Sequence, residues 1–209
     1  MAPELIGRMI DAACAVIEDN TGLLTRLDSA IGDGDHGHNL RRGFGEIAAQ
    51  RVQLVALPLG AALQKAGMAL VMKVGGASGP LYGSLLMAMG KAAGEMPADA
   101  SGLAAIWAEG IEALKRRGRS EVGAKTMLDV LVPAQEALRT AAAEGIAPEA
   151  IIDQVRQVAL DGLAATAPMR ATKGRASYLG ERSIGHLDPG AQSSALLIAA
   201  VCDVLEREA

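Results

Sequence analysis

The chain has 209 residues, a formal net charge of −4 and a hydrophobic fraction of 50%. This length suits a single domain with a sizeable core, and the hydrophobic fraction excludes a disordered chain. The negative charge argues against general nucleic-acid binding, which requires a basic surface. No apolar run is long enough to span a membrane and residues 1–4 lack the basic region of a signal peptide, so we expect no membrane partner.

The two cysteines, Cys14 and Cys202, each lie within an apolar helical pattern. A chain with so few cysteines does not use a disulfide framework. We therefore expect two reduced core thiols and a cytoplasmic protein.

The core must be built without aromatic side chains, which make up only 2% of the residues. Ala, Leu, Ile, Val and nine Met residues replace them, a composition that favours closely packed helices. Apolar residues at helical spacing predict about eight helices. In chain order the eight longer ones cover approximately residues 3–17, 38–52, 59–74, 80–95, 101–114, 126–144, 148–165 and 190–207, and a short helix begins at about residue 21. Because most connections are short, the expected fold is all-α: one domain over residues 1–209, a barrel or bundle of antiparallel amphipathic helices.

The first stretch that packing does not explain is DSAIGDGDHGHN, residues 28–39. Its composition predicts a tight loop whose glycines bring Asp28, Asp33 and Asp35 to one point. Three adjacent carboxylates repel one another unless a cation lies between them, which indicates a site for Mg²⁺ before Ca²⁺. An EF-hand is excluded because its twelfth position would be Phe44. The alternative is a loop that only caps helices.

The second stretch is GGASGPLYG, residues 75–83. A glycine-rich turn that opens a helix presents free N–H groups to phosphate oxygens. It lacks the Gly-Lys-Ser/Thr of a Walker loop. A plain turn between helices is the alternative interpretation.

The third stretch is GAKTMLDV, residues 123–130. Lys125 could reach a phosphate, and Met127 could pack against an adenine ring. In the alternative, Thr126 caps a helix while Lys125 lies in solvent and Met127 in the core.

The fourth stretch, residues 170–190, has no helical periodicity and places four basic side chains beside two acids. Such a long irregular segment in a compact domain indicates a lid or binding loop, and its charge suits a metal–nucleotide site. A solvated, mobile loop is the alternative. Tyr178, Leu179 and Ile184 argue against it, because a purely solvated loop does not need them.

Together these stretches resemble the hallmarks of the nucleotide-binding L subunit (DhaL type) of dihydroxyacetone kinase, and the likeness covers nearly the whole chain. The resemblance implies a barrel of eight antiparallel helices that holds ADP or ATP at one end through two Mg²⁺ ions. It assigns Asp28, Asp33 and Asp35 as metal ligands, which together with Arg175 form the catalytic set. The nucleotide contacts that it implies are His36, Asn39, Ala77, Ser78, Gly118, Met127, Arg175, Asp188, Pro189 and Gly190.

The implied function is that of a phosphoryl donor, since the family's ketose is bound by a separate K subunit. We therefore expect this chain to be inactive on dihydroxyacetone alone. ADP could be a resident cofactor that a phosphotransferase-system carrier rephosphorylates, or ATP could be an exchangeable substrate. The ketose could also have four carbons, and a homodimer is left open. Other hypotheses are a non-catalytic Mg-ADP-dependent regulatory module and a stand-alone phosphohydrolase.

Overall fold

The structure is a computed structural model that describes residues 2–94 and 99–208. These residues form ten α-helices and one 3₁₀ helix, with no β-strand among them. The α-helices are α1 (Pro3–Asp19), α2 (Thr21–Ile31), α3 (His36–Ala49), α4 (Arg51–Val55), α5 (Leu59–Lys73), α6 (Ser78–Ala92), α7 (Ala100–Gly118), α8 (Leu128–Ala143), α9 (Pro148–Ala165) and α10 (Pro189–Glu206). The 3₁₀ helix, η1, spans Arg175–Ser183.

Eight long helices form a closed ring. In the order α1, α3, α5, α6, α7, α8, α9 and α10, each helix packs against the next, and α10 returns to α1. The shorter elements α2, α4 and η1 pack against members of this ring or against one another. The ring confirms the expected all-α barrel of about eight antiparallel helices.

Small and branched side chains fill the ring, as the composition predicted. Leu24, Leu40, Leu70 and Leu128 are fully buried. The helices α5 and α6 approach so closely at Gly83 that a Cβ there would lie 2.3 Å from the side chain of Val71. An apolar cavity of about 380 Å³ remains at the centre of the ring.

One predicted helix is broken. The expected helix over residues 38–52 ends at Gln50, whose backbone N–H bonds to the carbonyls of Glu46 and Ile47, and α4 follows. Val52 is 81% exposed and does not belong to the core. The apolar spacing therefore continued past the residue where the helix ends.

Both cysteines are free thiols, as expected: Cys202 is buried and Cys14 half-buried. Burial raises the pKa of each thiol to about 11, which keeps both protonated and unreactive at neutral pH. Within the described part of the chain, no helix combines the length and apolar character of a bilayer span.

Candidate functional site

The acidic cluster forms where α2 meets α3. Asp28 lies on the last turn of α2, so the loop predicted over residues 28–39 is wrong in extent: only residues 32–35 lie outside the helices. One carboxylate oxygen of Asp28 accepts hydrogen bonds from the backbone N–H groups of Asp35 (2.8 Å) and His36 (3.0 Å). These bonds fix the short turn and lock the end of α2 to the start of α3.

The three predicted carboxylates do converge. Asp28 is buried while Asp33 and Asp35 are exposed, and one oxygen from each lies within 4.8 Å of the others. Only a glycine fits at position 32, because a Cβ there would lie 2.1 Å from Asp28 Oδ1. An all-oxygen donor set of three acids suits a hard cation such as Mg²⁺ and does not suit zinc.

Two helix N-termini face the same region. Ala77 is the N-cap of α6, and Ser78 is its first residue. Asp188 is the N-cap of α10, where its carboxylate accepts a hydrogen bond from Ala191 N–H (2.7 Å), and Pro189 and Gly190 form the first turn. Helix N-termini carry partial positive charge, so both favour anions such as phosphate, although Pro189 and the Asp188 cap leave α10 fewer free N–H groups than α6.

A buried histidine ties these helix ends together. His36 on α3 bonds through Nδ1 to Ser78 Oγ (2.9 Å) and through Nε2 to Ser193 Oγ on α10 (3.0 Å). Ser193 in turn bonds to the hydroxyl of Tyr82 (2.7 Å). Burial lowers the pKa of His36, although the charges of Asp28 and Asp35 oppose this shift, so the neutral ring is favoured.

Sequence reasoning did not single out Ser193 or Tyr82. The available signal was weak: polar groups inside the otherwise apolar stripes of α10 and α6. Such groups need buried partners, and here they find each other.

Asn39 and Gly118 lie at the margins of the site. Asn39 is buried behind the glycine turn, where its Oδ1 accepts a hydrogen bond from Arg42, and it does not line the cleft described below. Its Oδ1 would lie 2.9 Å from a Cβ on Gly75, so it contacts the turn directly. Gly118, the last residue of α7, does line the cleft.

The basic stretch, residues 170–190, covers the other side of the three aspartates. Arg175, the first residue of η1, pairs with Asp33 at 2.9 Å, and its side chain stays 67% exposed. Ala171 and Ala176 pack with Ile31, so the segment is anchored rather than purely solvated. The irregular stretch predicted here therefore contains a 3₁₀ helix, interrupted at Gly180, whose φ is +58°.

Both interpretations of Lys125 were wrong. Its side chain is only 1% exposed, and its ammonium donates to backbone carbonyls of the segment 166–186 instead of reaching a phosphate or solvent. Met127 lies in the core, as the second interpretation expected, and it also lines the cleft, while its contact with an adenine ring stays a prediction.

A single cleft of about 500 Å³ unites these features. Of the predicted site residues, it is lined by Asp28, Asp33, Asp35, His36, Ala77, Ser78, Gly118, Met127, Arg175, Asp188, Pro189 and Gly190. It is also lined by Arg117 and Lys173, which add positive charge, and by Leu81, Leu114 and Leu128, which give it an apolar wall. The arrangement can therefore hold a divalent cation and phosphates beside a flat apolar group.

Known proteins resemble this chain in sequence and in fold. Residues 30–203 match the DAK2 domain. The chain is 47% identical over 185 residues to the ADP-binding subunit DhaL of PEP-dependent dihydroxyacetone kinase 1 of Listeria innocua, covering 88% of each chain. It is 44% identical over 189 residues to the ADP-binding subunit DhaL of the PTS-dependent dihydroxyacetone kinase of Lactococcus lactis, covering 90% of this chain and 91% of that one.

A solved structure agrees with these relatives. The dihydroxyacetone kinase of C. freundii in complex with AMP-PNP and Mg²⁺ superposes with a TM-score of 0.75 at 25% identity. All of this chain is covered, but it spans only 34% of that longer kinase. From the matched domain and the relatives aligned over most of their length, the chain belongs to the DAK2-domain family, as a DhaL-type subunit of dihydroxyacetone kinase.

Proposed function

We propose that the chain is the nucleotide-binding, phosphoryl-donor subunit of a dihydroxyacetone kinase. The observation that carries this proposal is the convergence of Asp28, Asp33 and Asp35 on a cleft that also receives the N-termini of α6 and α10. Carboxylates hold Mg²⁺, and helix N-termini hold phosphate oxygens. A Mg-nucleotide requires both in one place.

We assign the three aspartates to two Mg²⁺ ions. These three aspartates would hold the ions, which would supply positive charge to offset the negative charge on the phosphates during transfer. Arg175 is placed beside Asp33 to add positive charge at the mouth of the cleft. His36 acts by holding Ser78 and therefore the N-terminus of α6, and Asn39 supports the glycine turn from behind.

The adenine has an apolar wall available to it. Met127, Leu81 and Leu114 line the cleft together and come from three different parts of the chain. A polarizable thioether beside leucine side chains forms a surface on which a flat ring can pack. We therefore place the base against Met127 and the phosphates against the aspartates.

The relatives support ADP as a resident cofactor. Their names describe ADP-binding subunits of PEP- or PTS-dependent kinases, which favours ADP that a phosphotransferase-system carrier converts to ATP on the protein. In this scheme the γ-phosphoryl group of ATP would be transferred to dihydroxyacetone held by a separate K subunit, with ADP as the product left on this chain. The chain alone does not complete this reaction, because the ketose site lies on the partner.

The small-molecule content of the purified chain tests the ligand. We expect ADP that survives desalting, with about two Mg²⁺ per chain. Mixing with a phosphorylated carrier protein should convert this ADP to ATP. Nucleotide that is lost on dilution, together with activity driven by added ATP, would favour exchangeable ATP instead.

A substitution in the acidic cluster tests the site. Asp35→Asn should abolish Mg-ADP binding measured by calorimetry while the helical circular dichroism stays unchanged. Glu109→Gln is the matched control, since it neutralises an exposed acid on α7. Unchanged affinity in Asp35→Asn would refute the site, and phosphorylation of dihydroxyacetone without a K subunit would refute the division of labour.

A further inference from the structure

Lys125 lies at the centre of a cage of backbone carbonyls. It is among the largest fully buried side chains of the described chain. Its Nζ donates to the carbonyl oxygens of Thr166 (2.8 Å), Ala167 (3.4 Å), Met169 (3.1 Å), Ser183 (2.7 Å) and His186 (2.5 Å). An ammonium has three hydrogens, so five carbonyls share them and surround the charge much as oxygen ligands surround a metal cation.

The local backbone is built to aim this side chain. Lys125 adopts a left-handed conformation with φ of +61°, which a residue with a side chain seldom adopts. The Asp129 carboxylate stabilises the turn by accepting hydrogen bonds from Gly123 N–H (2.5 Å) and Thr126 N–H (2.7 Å). Burial lowers the pKa of Lys125, and the charge of Asp188 opposes the shift.

The carbonyls that surround the Lys125 ammonium come from the two ends of residues 166–188. Gly185 N–H bonds to the Ala167 carbonyl (2.8 Å), and Asp188 N–H bonds to Thr166 Oγ1 (3.1 Å). The segment therefore leaves α9 and returns to α10 around one ammonium. Arg175 lies on the part of the chain that is looped out between these two ends.

We propose that Lys125 is a positioning residue whose ammonium acts as a built-in cation, folding segment 166–188 so that Arg175 and the N-terminus of α10 face the nucleotide phosphates. The phosphate part of this inference rests on the function proposed above. The role of Lys125 in folding segment 166–188 is independent of that function and is measured separately.

The test removes the ammonium and then supplies one from solution. Lys125→Ala deletes the chain beyond Cβ, and n-propylammonium replaces the missing atoms. Tetramethylammonium is the matched additive, because it has the same charge but no N–H donor. Lys65→Ala is the matched variant, since Lys65 is partly exposed on α5 and bonds to the Gln53 side chain.

Amide hydrogen exchange reads out the segment. In Lys125→Ala the amides of Ala171, Gly185 and Asp188 should exchange at least about tenfold faster, while amides in α5 and α6 are unchanged. The Kd for Mg-ADP should rise at least about tenfold, because a phosphate-binding group held in the wrong position loses binding free energy equal to about one hydrogen bond. Added to Lys125→Ala, n-propylammonium should restore both the exchange rates and the Kd, and tetramethylammonium should restore neither. The Lys65→Ala variant should have the exchange rates and the Kd of the wild type.

Unchanged exchange at the three amides, or no rescue by n-propylammonium, would overturn the proposal. Lys125→Gln keeps two N–H donors without the charge. If Lys125→Ala fails to fold, exchange at the three amides is measured on Lys125→Gln instead. If both variants lose all helical circular dichroism and the amine restores none, Lys125 supports the whole barrel rather than this segment. If the wild-type chain binds no Mg-ADP, the proposed function fails, while exchange and rescue still decide the cage.

Discussion

Buried polar side chains set the positions of the exposed ones at this site. Asp28 holds the turn that presents Asp33 and Asp35, and His36 holds the start of α6. Each of these buried groups is satisfied by a specific hydrogen bond, as buried polar groups must be. The exposed residues of the cleft therefore depend on Asp28 and His36, two largely buried residues that also line it.

Arg175 should matter for chemistry and little for stability. Its pair with Asp33 is exposed, and such pairs contribute about 0–1 kcal/mol to folding. With a K subunit and ketose present, Arg175→Ala should lower phosphoryl transfer about a hundredfold or more. Arg175→Lys should recover only part of this, because an ammonium lacks the two-pronged geometry of guanidinium.

The matched control is Arg182→Ala. Arg182 is an exposed arginine of the same 3₁₀ helix that does not line the cleft, so its removal should leave the transfer rate unchanged. Urea unfolding of both variants gives the stability change. Equal loss of transfer in the two variants would mean that only the charge of the segment matters, not the position of Arg175.

Asp188 should make stability depend on pH. Burial raises its pKa from 3.8 to about 7, and the nearby Asp129 charge adds to the shift. The folded chain thus retains a proton that the unfolded chain releases above pH 4. This group therefore costs nothing below pH 4, destabilises the fold increasingly as the pH rises toward 7, and adds no further cost above it.

The comparison is wild type against Asp188→Asn in urea unfolding at pH 5, 6, 7 and 8. Between pH 5 and 7 the wild type should lose up to about 1.4 kcal/mol per pH unit relative to the variant, whose amide does not titrate. Above pH 7 the difference should level off. A constant difference across this range would contradict the raised pKa.

At the level of elements, the long helices were predictable because each carries a regular apolar stripe. The boundaries around Asp28 were not, since they depend on hydrogen bonds from its carboxylate to backbone groups seven and eight residues away. The 3₁₀ helix was missed for a related reason. It has no 3.6-residue period, and its segment is held by Lys125, which is 41 to 61 residues away from its acceptors in sequence.

The four motifs identified the convergence of the three aspartates, and the family resemblance named the other site residues, all of which line the cleft apart from Asn39. The sequence could not predict the fate of Lys125. The acceptors there are backbone carbonyls, and a carbonyl leaves no signature in the residue types of a sequence. The same limit applies to the Ser193 and Tyr82 hydroxyls, whose partners are set only by the ring of helices.

The contact between α5 and α6 requires glycine at position 83. A Cβ there would lie 2.3 Å from Val71 Cγ2 and 2.8 Å from the Gly67 carbonyl. Gly83→Ala should therefore destabilise the fold by about 1–3 kcal/mol through overpacking. Gly45→Ala is the control, because nothing lies within 4 Å of its new Cβ and it sits on an exposed face of α3.

Gly45→Ala should stabilise the fold by about 0.5–1 kcal/mol, since alanine favours the helix. Chemical denaturation of both variants measures the two effects. The same sign in both would mean that backbone propensity, rather than the close approach of the helices, governs position 83.

At the level of the whole molecule, the ring closes where α10 meets α1. Arg8 and Glu208 form an ion pair at 2.7 Å there. The opposite end of α10 carries Asp188 and the cleft. Since α10 has 18 residues, the two ends of the ring lie about 27 Å apart at 1.5 Å per residue.

A circular permutation follows from this closure. Joining the two termini and opening the chain between Gly145 and Ile146, in the exposed turn from α8 to α9, should keep the Mg-ADP Kd within a few-fold of wild type. Opening it instead between Gly174 and Arg175 should abolish tight binding, because it cuts the segment beside the acids. Calorimetry on both permutants compares them, and equal affinities would show that continuity of that segment is unimportant.

The Arg8–Glu208 ion pair and the cleft lie at opposite ends of the ring. A tag, a surface anchor or a fused domain attached beside this ion pair should extend away from the cleft. The protein can therefore be tethered in a single orientation, with every molecule presenting its cleft outward. In the proposed function, a partner that exchanges a phosphoryl group would bind at this exposed cleft.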